Sequence, residues 1–599
     1  MILQSLVEYY KGLEEEGKVT APGWCQAKVA MALELSESGE LEGVTSMKHD
    51  EPRGKKTIEV LPLMKVPEQG VKTSGISPNF LCDNSSYLLG IDTKGKPERA
   101  KKCFLAAKEL HLAYLADVHS EAAEAVKQFF QNWNPETAEK HPVIAANYEE
   151  LSAASNLVFY LGAEGCFVQE DEEIQQAWEK RYREKDGGKE GLCLVTGERG
   201  PIARIHGKIK GVPGAQSSGA SLVGFNAPAF CSHGKEQSYN APVSEYAAYA
   251  YTTALNYLIS NRDYRSILGN TMVVYWAESG EEVYQKVFSD FAEPTKDNQD
   301  TVRGIFKNLE KGWEVDVDAV LADINPEQKF CILGLGPNAG RLAVRFFYQD
   351  GFGNILRHLK EHYDRMEVVR PASDIVEYLG VWRMLQEIAN KKSKDKKPPD
   401  HIAGNTFRAI LSGGRYPESL YQAVLQRIRA EQDDSDAGIY KITRGRAAII
   451  KAYLMRNTKI MEEEELTVSL NENSQNVPYN LGRMFAVLEH IQEESNWPNK
   501  LNATIKDRYF NSACTMPASI FPTLLRLKNS HMKKIAVRSK GTEIWLEKQL
   551  GDLQDKFTVE EHQTAAYPRR LTLEEQGMFI LGYYHQTRAR FTKKDKEEE

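Results

Sequence analysis

The sequence predicts an α+β protein of several domains: a mixed, β-rich amino-terminal region, a central α/β domain and a carboxy-terminal helical bundle. Three observations lead there. Short apolar runs such as IEVLPLM, broken by Pro, Gly and charged turns, fill residues 43–98 and mark a small β-rich module. Between 191 and 355 the strand-like runs TMVVYWAE and KFCILGL follow a helical PVSEYAAYAYTTALNYLI. Beyond 356 helical patterning dominates, and residues 500–594 carry 17 basic against 9 acidic side chains in a chain of formal net charge -8. A length of 599 residues allows several hydrophobic cores, roughly three to five domains.

In chain order, MILQSLVEYYKGLEEE opens as an amphipathic helix with Leu3, Leu6, Val7 and Tyr10 on one face. The β-rich module holds Lys72, Ser74, Asn79 and Asn84 in loops around a short strand at Tyr87 to Leu89. Helical sequence over 98–131 and 148–183 ends at KDGGKEG, which places a boundary near 190 and a first domain over 1–190. The central domain, 191–355, runs from a basic loop through a helix and a strand to a stretch with twelve acids over 281–330, expected to be a helical, solvated excursion. KFCILGL then leads into GPNAGRLAVRFFY. Residues 356–480 form a helical connecting domain broken by the hydrophilic NKKSKDKKPPDH. Its Arg408, Arg415, Arg427, Arg429, Arg444, Arg446, Lys451 and Arg456 fit either a solvated face or an electrostatic track. The basic bundle over 481–599 closes with a helix announced by the Thr572 and Glu575 capping box.

Eight cysteines, none closer than 21 positions, signal neither a disulfide framework nor a zinc site. No run approaches 18 apolar residues and the amino terminus lacks a secretion pattern, so the expectation is a soluble cytoplasmic protein without membrane contact. With a sequence pI near 6.0, any nucleic-acid contact must come from local patches. One is conspicuous: Arg199 to Lys235 holds five Lys or Arg, seven glycines and no acid. Glycines let backbone approach a ligand closely, while cations neutralise phosphate; the alternative is a turn-rich surface loop.

Catalytic motifs are weak. GLGPNAG has the wrong spacing for a dinucleotide fingerprint and a proline in its turn. Arg341 and Arg345 behind it share one side, whether on a helix or on a strand. His49 and Asp50 form an HD pair without the further ligands a metal nuclease needs, and His206 and His233 lack partners at ligand spacing. Phosphate loops, H-E-x-x-H and G-x-S-x-G are absent. The expectation is no enzyme, with no catalytic residue, cofactor or metal.

The runs CLVTGERGPIARIHGKIKGVPGAQSSGASLVGFNAPAF, SHGKEQSYNAPVSEYAAYAYTTALNYLI, FCILGLGPNAGRLAVRFF and FILGYYHQ resemble, in that order, the large-subunit (Cas8c/Csd1) family of the type I-C CRISPR effector complex, Cascade. The resemblance extends over essentially the whole chain. It implies a noncatalytic subunit of a crRNA-guided complex that helps recognise the protospacer-adjacent motif, supports duplex opening and R-loop stabilisation, and presents the target to a separate helicase-nuclease. Its partners would be the backbone, Cas5-type and small subunits, crRNA, double-stranded target DNA and the displaced single strand. Carried onto this chain, phosphate contacts fall to Arg204, Lys208, Lys210, Arg341 and Arg345, with Arg588 and Arg590 of the last helix facing the same chemistry. Base edges fall first to Lys72, Ser74, Asn79 and Asn84, then to Gln216, Asn226, Gln237 and Asn240; the asparagines suit caps and turns equally well. The family also implies that the carboxy-terminal portion is made separately as a small subunit by internal translation, with Met484 the first candidate start and Met461 the second. The competing functions are a metal-dependent nuclease at His49 and Asp50 and a purely scaffolding subunit without DNA contact.

Overall fold

The computed structural model describes residues 2–591 apart from 54–55, 70–74, 93–94, 154, 163–164, 185–188, 311–323, 395, 459–465 and 558–565. The fold is α+β, with sheets in the first 351 residues and, among the described residues, helices as the only elements thereafter. Its contacts divide the chain into two units. The amino-terminal unit comprises Leu6–Gly207 and Val223–Ala254, and the larger unit Met1–Ser5, Lys208–Leu222 and Leu255–Glu599. The boundary expected near 190 thus falls inside the first unit, and those at 355 and 480 inside the second.

The amino-terminal unit is built on β1 (Trp24–Leu35), β2 (Leu41–Ser46), β5 (Leu63–Pro67), β6 (Cys82–Asn84), β7 (Asn156–Leu161) and β8 (Cys166–Phe167). Two hairpins stand apart: β3 (His49–Arg53) with β4 (Lys56–Val60), and β9 (Glu190–Leu192) with β10 (Arg199–Pro201). The sheet order is β2-β1-β7-β6, with β5 also on β1 and β8 on β7. β1 and β7 run parallel, as a strand pair joined by a helical crossover can. Leu157, Phe159 and Leu161 pack with Leu33, Phe104 and Phe129 in a core that includes the helices Pro97–Tyr114 and Glu121–Asn132, while Val158 joins Val29 and Cys82 on the opposite face.

The observed elements correct three expectations. Residues 148–183 are not continuously helical: NLVFYL is the inner strand β7, apolar on both faces and therefore without the alternation that identifies a half-buried strand. β1 precedes the region expected to be β-rich, and its MALEL reads as helix-forming sequence although the strand is central. The strand expected at Tyr87 to Leu89 is instead the helical turn Ser85–Leu88.

The larger unit carries an antiparallel sheet in chain order: β11 (Arg265–Leu268), β12 (Thr271–Ala277), β13 (Lys329–Asn338) and β14 (Arg341–Gly351). Every residue of β12 is buried. Tyr275, Phe330 and Ile332 pack beneath the helices Glu282–Ala292, Gln299–Glu310 and Phe352–Met366. The acidic stretch is consequently no solvated excursion over its described part, since Phe288, Phe291, Val302 and Phe306 lie in this core. On the other face, Trp276 Nε1 donates to Ser5 Oγ (3.2 Å), which also meets Cys331 Sγ (3.0 Å).

The same apolar core continues without a break through Arg444–Asn457 and Val477–Asn496 to the closing helix Leu573–Ala589. The closing helix has the expected box, with Thr572 N donating to Glu575 Oε2 (2.7 Å) and Glu575 N to Thr572 Oγ1 (3.3 Å). Among the described residues, no helix is long and apolar enough to cross a membrane.

Candidate nucleic-acid interface

The glycine-rich segment divides at residue 207 between the two units. Its larger-unit part, Lys208–Leu222, folds back on itself. Ile209 and Ala220 exchange two backbone hydrogen bonds of 2.9 Å, and Ser221 bridges Arg341 in parallel, with Ser221 N donating to Gly340 O and Leu342 N to Ser221 O (both 3.0 Å). The arm therefore docks on the β13–β14 hairpin through backbone hydrogen bonds. Gly219, at φ +97°, is needed where the arm closes, because a Cβ there would stand 2.8 Å from that of Lys208. Asn256 holds the other end: its Oδ1 accepts Lys210 N and its Nδ2 donates to Lys208 O, each at 2.9 Å.

This docking collects the cations. Lys208 Nζ donates to Ser221 Oγ (2.8 Å), on the residue that bridges β14. Asn338 faces Arg341 and Gly336 faces Ala343 across the hairpin, but the register shifts so that Leu335 faces Val344 and Gly334 faces Phe346, leaving Arg345 as a bulged extra residue. A Cβ on Gly336 would fall on the Arg345 guanidinium, so that group lies over Gly336, on the face Gly336 shares with Ala343 and Arg341. Gln216 stands beside Gly340, at the hairpin turn. Lys208, Lys210 and Arg345 form no ion pair with any described residue. A glycine-lined surface with uncompensated cations suits a phosphate backbone. The same geometry removes the dinucleotide reading, since GLGPNAG turns between antiparallel strands and no helix N-terminus follows to receive a pyrophosphate.

A family model described as CRISPR-associated protein (Cas_Csd1) matches residues 6–591. The chain belongs to the Csd1 family. No curated protein matches it. The family match runs across both units, and so takes in the second set of candidate residues, in the amino-terminal unit.

There, Arg204 Nε donates to Gln237 Oε1 (2.6 Å). Asn240 shapes the adjoining loop, accepting Ser232 N (2.8 Å) and donating to Lys235 O (3.0 Å) and Gln237 O (2.9 Å), so it is spent as a turn former rather than a reader. Asn226 is exposed. His206 is buried against Tyr251 (Nδ1 to hydroxyl 2.7 Å), and that burial lowers its pKa to about 4, which leaves it neutral. Arg204 also lines a cleft of about 720 Å³ with Glu68, Tyr182, Glu245 and Tyr249, a mixed lining with no single charge preference.

Several Csd1 candidates are placed elsewhere. Lys72 and Ser74 lie outside the described residues. Asn79 is only 7% exposed and presents no edge to a base as folded, and Asn84 caps the turn Ser85–Leu88 by accepting Ser86 N (3.1 Å). His49 and Asp50 are exposed on β3, and among the described residues no group of three or more His, Cys, Asp or Glu could hold a metal ion.

The helical cations divide. Arg444, Arg446 and Lys451 are buried, which corrects the electrostatic track at these positions: Arg444 pairs with Asp374 (2.9 Å) and Arg446 with Glu431 (2.6 Å). In the closing helix Phe579, Tyr583 and Tyr584 are core residues, Tyr583 donating to Glu489 Oε2 and Tyr584 to Val369 O. Arg590 pairs with Glu493 (2.9 Å), and Arg588 stands 5.5 Å from the Tyr584 ring. The sequence offered no sign of the Arg204–Gln237 bond, because 33 positions separate the two.

Proposed function

We propose that this Csd1 protein is the noncatalytic large subunit of a type I-C, crRNA-guided surveillance complex. It contributes to recognition of the protospacer-adjacent motif, to duplex opening and R-loop stabilisation, and to recruitment of a separate helicase-nuclease. The observation that carries the DNA contact is the set of cations Lys208 and Lys210 on the docked glycine-rich arm and Arg341 and Arg345 on β14 beside it, with no ion pair to Lys208, Lys210 or Arg345 among the described residues. Sequence selection beyond the short motif belongs to RNA pairing. Lys208→Ala and Lys210→Ala are each expected to weaken binding of the assembled complex to all duplexes alike and to lower the salt slope by about one, because each cation releases counterions from one phosphate. Titrations at several salt concentrations check this, and unchanged slopes would remove both residues from the interface. Crosslinking of target DNA only to other subunits would favour the scaffolding reading, and Mg²⁺- or Mn²⁺-dependent cleavage abolished by His49→Ala the nuclease reading.

The small-subunit role assigned to residues 481–599 acquires a geometric constraint. Met484 is fully buried midway along Val477–Asn496. A start there removes the Asn476 cap on Tyr479 N (2.9 Å), the Tyr479 bond to His585 (3.0 Å) and the Gly482 crossing with the closing helix. A start at Met461, itself outside the described residues, keeps that helix whole. The mass of any small protein copurifying with the native assembly is expected to fit initiation upstream of 476, and a mass matching residues 484–599 would refute this.

A further inference from the structure

The geometry points to Arg204 and Gln237 as a preset base-reading fork that takes a guanine edge in the major groove. The inference rests on the DNA-binding reading above and moves Arg204 from phosphate to base. The loop that presents Gln237 has three residues in the left-handed region within five positions, His233 (φ 52°), Gly234 (φ 65°) and Gln237 (φ 47°). Two of these are not glycine, and such conformations persist only where surrounding bonds impose them. The bonds are present: Asn240 spends both ends of its amide on the loop, and Ser238 N donates to Arg204 O (3.2 Å), tying the loop beside Arg204.

Gln237 Oε1 then accepts Arg204 Nε at 2.6 Å. That bond fixes which way the amide points, since exchanging Oε1 and Nε2 would set two donors against each other. With Nε spent, the two terminal guanidinium nitrogens of Arg204 and the Gln237 Nε2 have no partner among the described residues. All of these remaining groups are donors. A fork in which donors predominate, with only the second lone pair of Gln237 Oε1 left as an acceptor, favours an edge of acceptors, and guanine alone among the bases offers two side by side in the major groove, N7 and O6. Arg204 would take that pair end-on, and Gln237 Nε2 would take one acceptor of the neighbouring base pair. A cytosine or adenine amino group in either place would meet a donor and be rejected.

A phosphate also offers paired acceptors, so the test must separate the two. Guide-bound complexes assembled with the full chain are titrated with duplexes in which each base pair of the adjacent motif is varied, and with one in which a motif guanine is replaced by 7-deazaguanine. For the parent, 7-deazaguanine at the read position is expected to weaken binding about tenfold. Arg204→Ala and Arg204→Lys should both lose about that factor and become indifferent to the deaza substitution, although the lysine keeps the charge. Gln237→Glu retains an acceptor for Arg204 Nε and converts the outward donor into an acceptor. Its preference at the neighbouring pair should therefore move toward a base presenting an amino group.

Equal losses on every duplex, or full function in Arg204→Lys, would reduce Arg204 to a phosphate contact. An unchanged preference in Gln237→Glu would reduce Gln237 to a loop brace. If neither position affects any duplex while Lys208→Ala does, the fork is wrong and the DNA-binding reading stands; if the parent complex binds no duplex, both fall.

Discussion

Gly482→Ala is expected to destabilise the larger unit by about 3 kcal/mol, the upper end of what an overpacked core costs, or to prevent folding outright. A Cβ on Gly482 would fall on the carbonyl group of Phe579, and one on Gly582 would fall on the carbonyl of Tyr479. Two helices, Val477–Asn496 and Leu573–Ala589, thus cross with backbone against backbone at a pair of glycines. Neither obstacle is a flexible side chain, so relief requires the helices to move apart. That movement would loosen Tyr479 from His585, Arg483 from Gln586 and Tyr583 from Glu489 together. Gly551→Ala supplies the contrast. It lies inside the helix Lys540–Gln554 with nothing near its added methyl, so it should be neutral or stabilising by up to about 1 kcal/mol. Thermal melts of the three proteins decide the matter, and a Gly482→Ala variant melting with the parent would show that the crossing is not close.

The sequence reveals this protein wherever one periodicity dominates. The amphipathic opening helix, the buried β12 and the capping box at Thr572 were all legible because each element shows its pattern locally. β7 lacks alternation as the fully buried β12 does, but where TMVVYWA stands out by its β-branched and aromatic density, the short NLVFYL lies between helical flanks and reads as more helix. Charge misled in the same way. Acids around Phe288 and Phe306 suggested solvent, yet the few aromatics between them carry the burial.

Within the candidate site, composition located the arm and its cations, because glycines and unpaired basic residues are properties of a short segment. The roles of amides were not legible. Asn84, Asn240 and Gln237 are the same kind of group to a reader of sequence, and only the fold shows one capping a turn, one shaping a loop and one holding an arginine. Helical cations posed the same difficulty, since a row of arginines on a helix describes a solvated face and a buried network equally well.

The largest consequence of that difference is at Arg446, and Arg446→Met is expected to cost about 3–5 kcal/mol. The side chain is fully buried, pairs with Glu431, and donates to the carbonyls of Glu387 (3.1 Å), Tyr440 (3.0 Å) and Lys441 (2.9 Å). Glu431 is itself only 4% exposed, and its other cation, Arg427, is 4.0 Å away. Removing Arg446 would strand a carboxylate where water cannot reach it, a larger penalty than the lost attraction. Arg446→Met combined with Glu431→Leu should recover part of the loss, because replacing both partners strands neither charge of the pair. Recovery stays incomplete, since three backbone carbonyls lose their donor. Denaturant titrations of the single and double variants measure both steps. A phosphate-contacting Arg446 would behave otherwise, leaving stability within about 0.5 kcal/mol of the parent, as surface substitutions do, and lowering the salt slope of DNA binding instead. That outcome would overturn the buried assignment.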